Sequence, residues 1–308
     1  MRFLVLGSAA GGGLPQWNCL CENCRLAYAN SPRIARRSQA SLAVSADGDN
    51  WMVLSATPDL RQQIIDNPAL HPRSLRHSPV KAVFAPNGDI DNVAGLLVLR
   101  EMQPFTLFAT QAVMDCTRAG VFGVLNPELV ARRSVGVGER IDTGLGFAVT
   151  PFVTPGKTPL YMEAAIEADI ELGAEGENTV GLEIEPDGEG RGKRFYYMPS
   201  CARMTDALRK RLDGAEIVFF DGTTFEDDEM IRLGLSRKTA WRMGHMAMNG
   251  PNGSMRELDG LSIRRRVYIH INNSNPALLC DSPERAQVEA SGWEISFDGM
   301  AIDTAEVA

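Results

Sequence analysis

No apolar run in this 308-residue sequence approaches the roughly 20 residues that a membrane-spanning helix requires. Positive charge is also scarce. Against 31 lysines and arginines stand 39 acids, and the net charge is −8 at pH 7. That balance argues against a nucleic-acid or anionic-membrane surface, so neither a nucleic-acid partner nor membrane insertion is expected. The segment Met1-Arg2-Phe3-Leu4-Val5-Leu6-Gly7 is too short for a signal peptide and reads as a first strand, which makes a cytoplasmic location the expectation. P-loop and dinucleotide fingerprints are both missing. The glycine-rich turn Gly7-Ser8-Ala9-Ala10-Gly11-Gly12-Gly13 runs into Pro15 and Trp17 instead of a helix. It reads as a turn that brings backbone close to a neighbour, expected to be the loop carrying Asp89. No repeat, linker or low-complexity tract divides the chain, so a single domain over 1–308 is expected.

What is present alternates between strand and helix signals. Apolar runs at 41–45 and 51–55 flank Asp47-Gly48-Asp49, a hairpin. Thr57-Pro58-Asp59 opens a helix through 66, with Pro58 at its first position. Residues 25–40, with Arg33, Arg36 and Arg37, read as a solvated basic turn, and 155–178 as a mobile acidic loop lying over the site. Buried strands are expected at 80–85, 215–220 and 266–269. The expected architecture is two mixed sheets packed together with helices on the outer faces.

Chemistry-bearing residues follow the buried strands. Asp89 and Asp91 come after the first, in Pro86-Asn87-Gly88-Asp89-Ile90-Asp91-Asn92, just ahead of an amphipathic segment at 93–101. The spacing alone allows Asp91 or Asn92 to be simply a helix cap. Asp221 follows the second strand and His270 the third, with His245 after Gly244 able to reach the same rim. Imidazole and carboxylate converging in this way form the ligand set of a non-haem iron or zinc site. The remaining histidines, His71 and His77, sit among Arg and Pro and read as surface residues. Cys116, Cys201 and Cys280 read as small buried hydrophobes. Cys19, Cys21 and Cys24 fall within six residues, in a cysteine-rich loop near 15–26, and point to structural zinc whose fourth ligand comes from elsewhere.

These motifs resemble those of the pyrroloquinoline quinone (PQQ) biosynthesis B-protein family of the metallo-β-lactamase superfamily. The resemblance spans nearly the whole chain. Besides the glycine-rich turn, the cysteines and the site residues, it includes Pro58-Asp59-Leu60-Arg61, Ala94-Gly95-Leu96-Leu97, Asp227-Asp228-Glu229-Met230, Ser282-Pro283-Glu284-Arg285 and Asp298-Gly299-Met300. It implies an αββα sandwich, a cysteine-bound structural zinc, and an Fe(II)-dependent, O2-using hydroxylase acting on a small tyrosine-derived peptide or amino acid. The iron would rest on Asp91 and His270 with help from Asp89 or His245. Asp221 and His245 would move protons or hold substrate, with Asn272 and Asn273 also binding it. A carrier role for PQQ or its precursor is the alternative, and a homodimer is admitted. In one respect the chain departs from its family: Asn92 stands where a histidine follows the aspartate, and a carboxamide is a much poorer ligand for Fe(II) or Zn(II) than imidazole. Lys157 and Ser200 stand where phosphodiesterase relatives carry His and Asp, differences the resemblance gives to the family as a whole; Asn92 is the departure of this chain, and it also weakens a two-metal hydrolase reading.

Overall fold

The computed structural model describes residues 1–156 and 176–305; the expected loop over the site, with Lys157, falls largely outside them. Two seven-stranded mixed sheets lie face to face. The first is ordered β14 (Ala301–Asp303), β1 (Arg2–Gly7), β2 (Ser41–Ser45), β3 (Trp51–Leu54), β4 (Val80–Phe84), β5 (Phe105–Ala109), β6 (Val130–Ser134). The second is ordered β13 (Trp293–Ile295), β12 (Arg265–Ile269), β11 (Ile217–Asp221), β10 (Phe195–Met198), β9 (Val180–Pro186), β8 (Phe147–Val153), β7 (Ile141–Asp142). In each sheet one half is antiparallel and the other parallel.

Alternation along each strand sorts the apolar residues into three layers. Phe3 and Val5 meet Phe195 and Phe219 between the sheets, while Leu4 and Leu6 face the outer helices of the first sheet. Val218, Phe220 and Tyr268 point outward from the second sheet onto Leu208, Leu212, Val288 and the cysteine segment. The result is the αββα sandwich.

Several sequence expectations need correction. Pro58 does not begin a helix; the helix is Leu60–Asp66, with Thr57 Oγ1 accepting the Asp59 N–H. The segment after Asp91 is a four-residue helix, Ile90–Val93, followed by a 3-10 turn, Ala94–Arg100. A Cβ on Gly95 would lie 2.2 Å from the Thr57 carbonyl oxygen, so this close seat on the 56–57 backbone admits only glycine. The cysteine loop leads directly into a helix, Glu22–Tyr28. Arg37 is not solvated but buried, because its guanidinium donates to Ser8 Oγ and the Ser296 carbonyl. Cys280 is exposed, not a core residue, whereas Cys201 is fully buried.

Candidate metal and substrate site

Three strand ends and the glycine-rich turn meet at one edge of the sandwich. β11 and β12 are parallel neighbours with Asp221 in register with Ile269, so Asp221 and His270 leave the sheet side by side. β4 of the other sheet delivers residues 85–92 opposite them. The turn after β1 joins the two: Ala9 bridges to both Gln39 and Ile271, and the Ala10 N–H donates to the Ile271 carbonyl. Its actual neighbour is Asp91 more than Asp89, since a Cβ on Gly11 would stand 3.6 Å from Asp91 Oδ2. Between these loops lies a cavity of about 610 Å3 whose wall includes Asp89, Asp91, Asn92, His245, His270 and Asn272. That volume suits a small organic ligand.

Asp221 is fully buried beneath this wall and acts as an anchor. It accepts hydrogen bonds from the backbone N–H groups of Cys201 and Thr223, from the Thr223 hydroxyl at 2.7 Å and from His245 Nδ1 at 2.7 Å. Since the Thr223 hydroxyl donates to Asp221, it accepts from His270 Nδ1 at 3.0 Å. Both imidazoles therefore carry their proton on Nδ1 when neutral, leaving each Nε2 lone pair for a ligand. One carboxylate thus sets two tautomers. The rings stack with centroids 5.1 Å apart, and one donor atom from each of Asp221, His245 and His270 falls within 4.8 Å of the others. His270 takes a left-handed backbone conformation, φ 60°, which is costly for a non-glycine residue and kept where the surroundings demand it.

Asp91 Oδ2 lies 3.2 Å from His270 Nε2. Burial opposes ionisation of both, but their hydrogen bond and mutual charge win: Asp91 is held below the usual carboxylate range and His270 above the usual imidazole value. Asp89 occupies the N-cap position of the short helix, yet its carboxylate makes no capping bond; its N–H is taken by Asn87 Oδ1. Asn92 is buried at the wall with Nδ2 3.3 Å from Asp91 Oδ1.

These residues fit a divalent ion. Asp91 and His270 form a carboxylate–imidazole donor pair, and His245 stacks beside it to supply the second imidazole of the kind of set that holds non-haem iron; the three residues whose donor atoms all lie within 4.8 Å of one another are Asp221, His245 and His270. Ligands about 2.1 Å from one ion and at right angles lie about 3.0 Å apart, close to the Asp91–His270 separation.

The cysteines form a second centre. One sulfur from each of Cys19, Cys21 and Cys24 lies within 4.8 Å of the other two. Asn273 sits here and not on the cavity wall: its Nδ2 lies 3.3, 3.5 and 3.2 Å from the three sulfurs. Ligands at about 2.3 and 2.0–2.2 Å around a tetrahedral zinc are about 3.5 Å apart, so the Asn273 carboxamide stands at the fourth corner. Turned over, it offers Oδ1 to a cation. Among the thiols, burial pushes Cys21 up to about 12, while at Cys19 burial is outweighed by hydrogen bonds from Cys21, Cys24 and Asn273, which lower it. Asn273→Ala is expected to weaken zinc retention about tenfold or more in a chelator competition, with the fold kept; unchanged retention would remove Asn273 from the ligand set.

Some residues at the site carried no sequence signal. Thr223 was only part of a motif, and Gln39 was an isolated glutamine in a basic stretch. Asn272 and Asn273 part because the chain turns here: the Asn275 N–H donates to the Asn272 carbonyl, and Asn273 is a central residue of that turn.

Comparison with known proteins gives the family and the fold. Residues 50–271 match the beta-lactamase superfamily domain. Coenzyme PQQ synthesis protein B of Methylobacterium radiotolerans is 51% identical over 304 residues, covering 98% of this chain and 99% of that protein. Its counterpart in Rhizobium meliloti is 52% identical over 303 residues, 98% of this chain and 97% of the relative. The crystal structure of Zn2+-bound PqqB from Methylobacterium extorquens superposes with a TM-score of 0.94 at 51% identity, across 98% of this chain and 100% of that one. A diphosphatase of the PhnP family, 19% identical with a TM-score of 0.66, shares the fold.

Proposed function

The chain belongs to the coenzyme PQQ synthesis protein B family of the beta-lactamase superfamily, and on that premise we propose that it serves PQQ biosynthesis as an Fe(II)- and O2-dependent hydroxylase of a small tyrosine-derived precursor. The observation that carries this reading is the pair of imidazoles whose Nδ1 atoms are held through a common anchor, Asp221, with His270 Nε2 turned to Asp91 at the wall of a cavity. Bound iron would supply the redox chemistry that O2 requires. The protein's own residues do the rest. His245 and His270 are locked in tautomer through Asp221 and Thr223, so neither has to reorganise when a ligand arrives. Met230, Met243 and Ile90 line the cavity and give an aromatic ring an apolar surface to lie on. Asp89 lines the same wall and, after Asp91 and Asp221, adds to the field that favours a charged His270; a carboxylate at that position can take a substrate proton.

Anaerobic Fe(II) loading followed by metal analysis tests this. One iron in addition to one zinc per chain is the expected result. A single zinc, lost when Cys19 or Cys21 is replaced, would end the oxygenase reading. The alternative, a carrier of PQQ or its precursor, would then stand, and Asn92 is the residue that favours it. Asn92→His adds an imidazole next to Asp91 and is expected to tighten iron binding about tenfold or more. Unchanged affinity would mean that residue 92 offers nothing to the ion.

A further inference from the structure

Two carboxylates that take no part in the scheme above each hold a carboxamide of the cavity wall. Asp59, in the Pro58-Asp59-Leu60-Arg61 motif, accepts from the Gln39 backbone N–H at 2.9 Å and from Gln39 Nε2 at 3.0 Å. Glu229, in the Asp227-Asp228-Glu229-Met230 motif, is buried; its Oε2 accepts the Phe225 N–H at 2.7 Å and its Oε1 the Ser274 hydroxyl at 2.5 Å. Ser274 Oγ accepts in turn from Asn272 Nδ2 at 2.6 Å. Gln39 and Asn272 both line the cavity.

A carboxylate only accepts, so the NH2 end of Gln39 faces Asp59; at Asn272 the Ser274 hydroxyl gives its proton to Glu229 and therefore accepts from the amide NH2. The other end is then decided: Gln39 Oε1 and Asn272 Oδ1 are turned away from the anchors. No protein donor to either oxygen occurs among the described residues. Asp89 and Asp91 add further acceptors to the same wall, while Lys238 also lines it and is already engaged.

We infer that Asp59 and Glu229 are positioning residues that hold Gln39 and Asn272 with their carbonyl oxygens toward the cavity, so that the site selects a ligand bearing N–H or O–H donors and rejects one that only accepts, such as a phosphate ester. The inference rests on the reading of this cavity as the substrate site and deepens it by naming the ligand chemistry. An unpaired buried acceptor is costly, and a site built to hydrogen-bond a donor discriminates strongly against ligands without one. The phosphate-ester chemistry expected of a diphosphatase-like relative is therefore disfavoured by the wall itself, apart from any metal.

The test compares tyramine, which carries ammonium and phenol donors, with phenyl phosphate, by calorimetry on protein that keeps its cysteine-bound zinc and is given no iron. Wild type is expected to bind tyramine at least tenfold more tightly. Asp59→Asn and Glu229→Gln each free one amide to turn over and present NH2, so the tyramine-to-phenyl-phosphate ratio is expected to fall about tenfold. A purely structural defect would weaken both ligands and leave the ratio alone. If Glu229→Gln fails to fold, Ser274→Ala cuts the same link, and Asp59→Asn decides independently. An unchanged ratio in the folded variants, a wild type that prefers phenyl phosphate, or a wild type that binds neither probe would overturn the inference. Because the measurement uses no iron, a failure to bind Fe(II) would count against the hydroxylase reading alone.

Discussion

His270→Ala is expected to lower affinity of the cavity for Fe(II) or Zn(II) by more than a hundredfold while leaving the cysteine-bound zinc in place. Loss of an outer-shell partner typically costs 10–100-fold, and His270 is a direct donor whose Nε2 faces Asp91 at 3.2 Å. The pH dependence gives a second readout. A cation must displace the proton that Asp91 stabilises on His270, so wild-type affinity is expected to rise with pH through a value above the ordinary imidazole range. Asp91→Asn removes the charge that raises His270, and its affinity curve should shift to lower pH while falling overall. Without metal, the sign of the pair's contribution to folding follows from the same shifts. Asp91, depressed, stabilises above the ordinary carboxylate value, and His270, raised, stabilises below the ordinary imidazole value and loses that contribution as pH rises through its folded value. Equilibrium dialysis with metal analysis at several pH values would check these expectations. A His270→Ala protein that keeps full affinity would place the ion elsewhere.

Arg37→Ala is expected to destabilise the fold by about 1–3 kcal/mol, the usual cost of leaving buried hydrogen-bonding groups, here Ser8 Oγ and the Ser296 carbonyl, without their donor. Arg37 lies at the junction of the two sheets. Its Nη1 donates to Ser8 Oγ at 2.9 Å and to the Ser296 carbonyl. Ser8 passes its own proton to Asp298, which also accepts from the Ser38 N–H and hydroxyl. Burial lowers Arg37 to about 10 despite the pull of Asp298, and burial raises Asp298 against those three hydrogen bonds and the charge of Arg37. With arginine gone, Asp298 is a buried anion held by neutral donors only. A carboxyl whose folded pKa is raised loses stability as pH rises, so the defect should be largest near neutrality and shrink as pH falls toward the ordinary carboxylate value. Thermal melts at pH 7 and pH 5 would show it, with Tm lower by about 5 °C at pH 7. Adding Asp298→Ala should recover part of the loss. A decrease below about 1 kcal/mol would mean that water reaches Asp298.

Much of the architecture was legible because β structure writes its burial into a period of two. Residues 41–45, 51–55, 80–85 and 215–220 are mostly apolar, broken only by Ser41, Ser45, Ser55, Lys81 and Glu216, and the observed β2, β3, β4 and β11 match them to within two residues. Short polar-capped helices read less well. At 57–66 a favourable Pro58 signal lost to the Thr57–Asp59 turn, and at 93–101 the periodicity of a helix was realised as a 3-10 turn seated on Ala56 and Thr57. Arg37 shows the converse error. Charge type predicts exposure only on average, and this guanidinium finds its partners on segments about thirty and about 260 residues away.

The sequence by itself determined which residues were available for chemistry. Two imidazoles remained once His71 and His77 were set on the surface, carboxylates sat at strand ends, and three thiols lay within six residues. It also determined that residue 92 is a carboxamide. Which atoms those residues present was decided by the tertiary structure alone. Asp221 becomes an anchor and not a wall residue because Cys201, Thr223 and His245, from different segments, saturate its oxygens. Neighbouring Asn272 and Asn273 part ways at a turn, one held at the cavity by Ser274 and one among the thiols of Cys19, Cys21 and Cys24. Hydrogen-bond direction depends on what stands about 3 Å away, and for these side chains most of it arrives from distant parts of the chain.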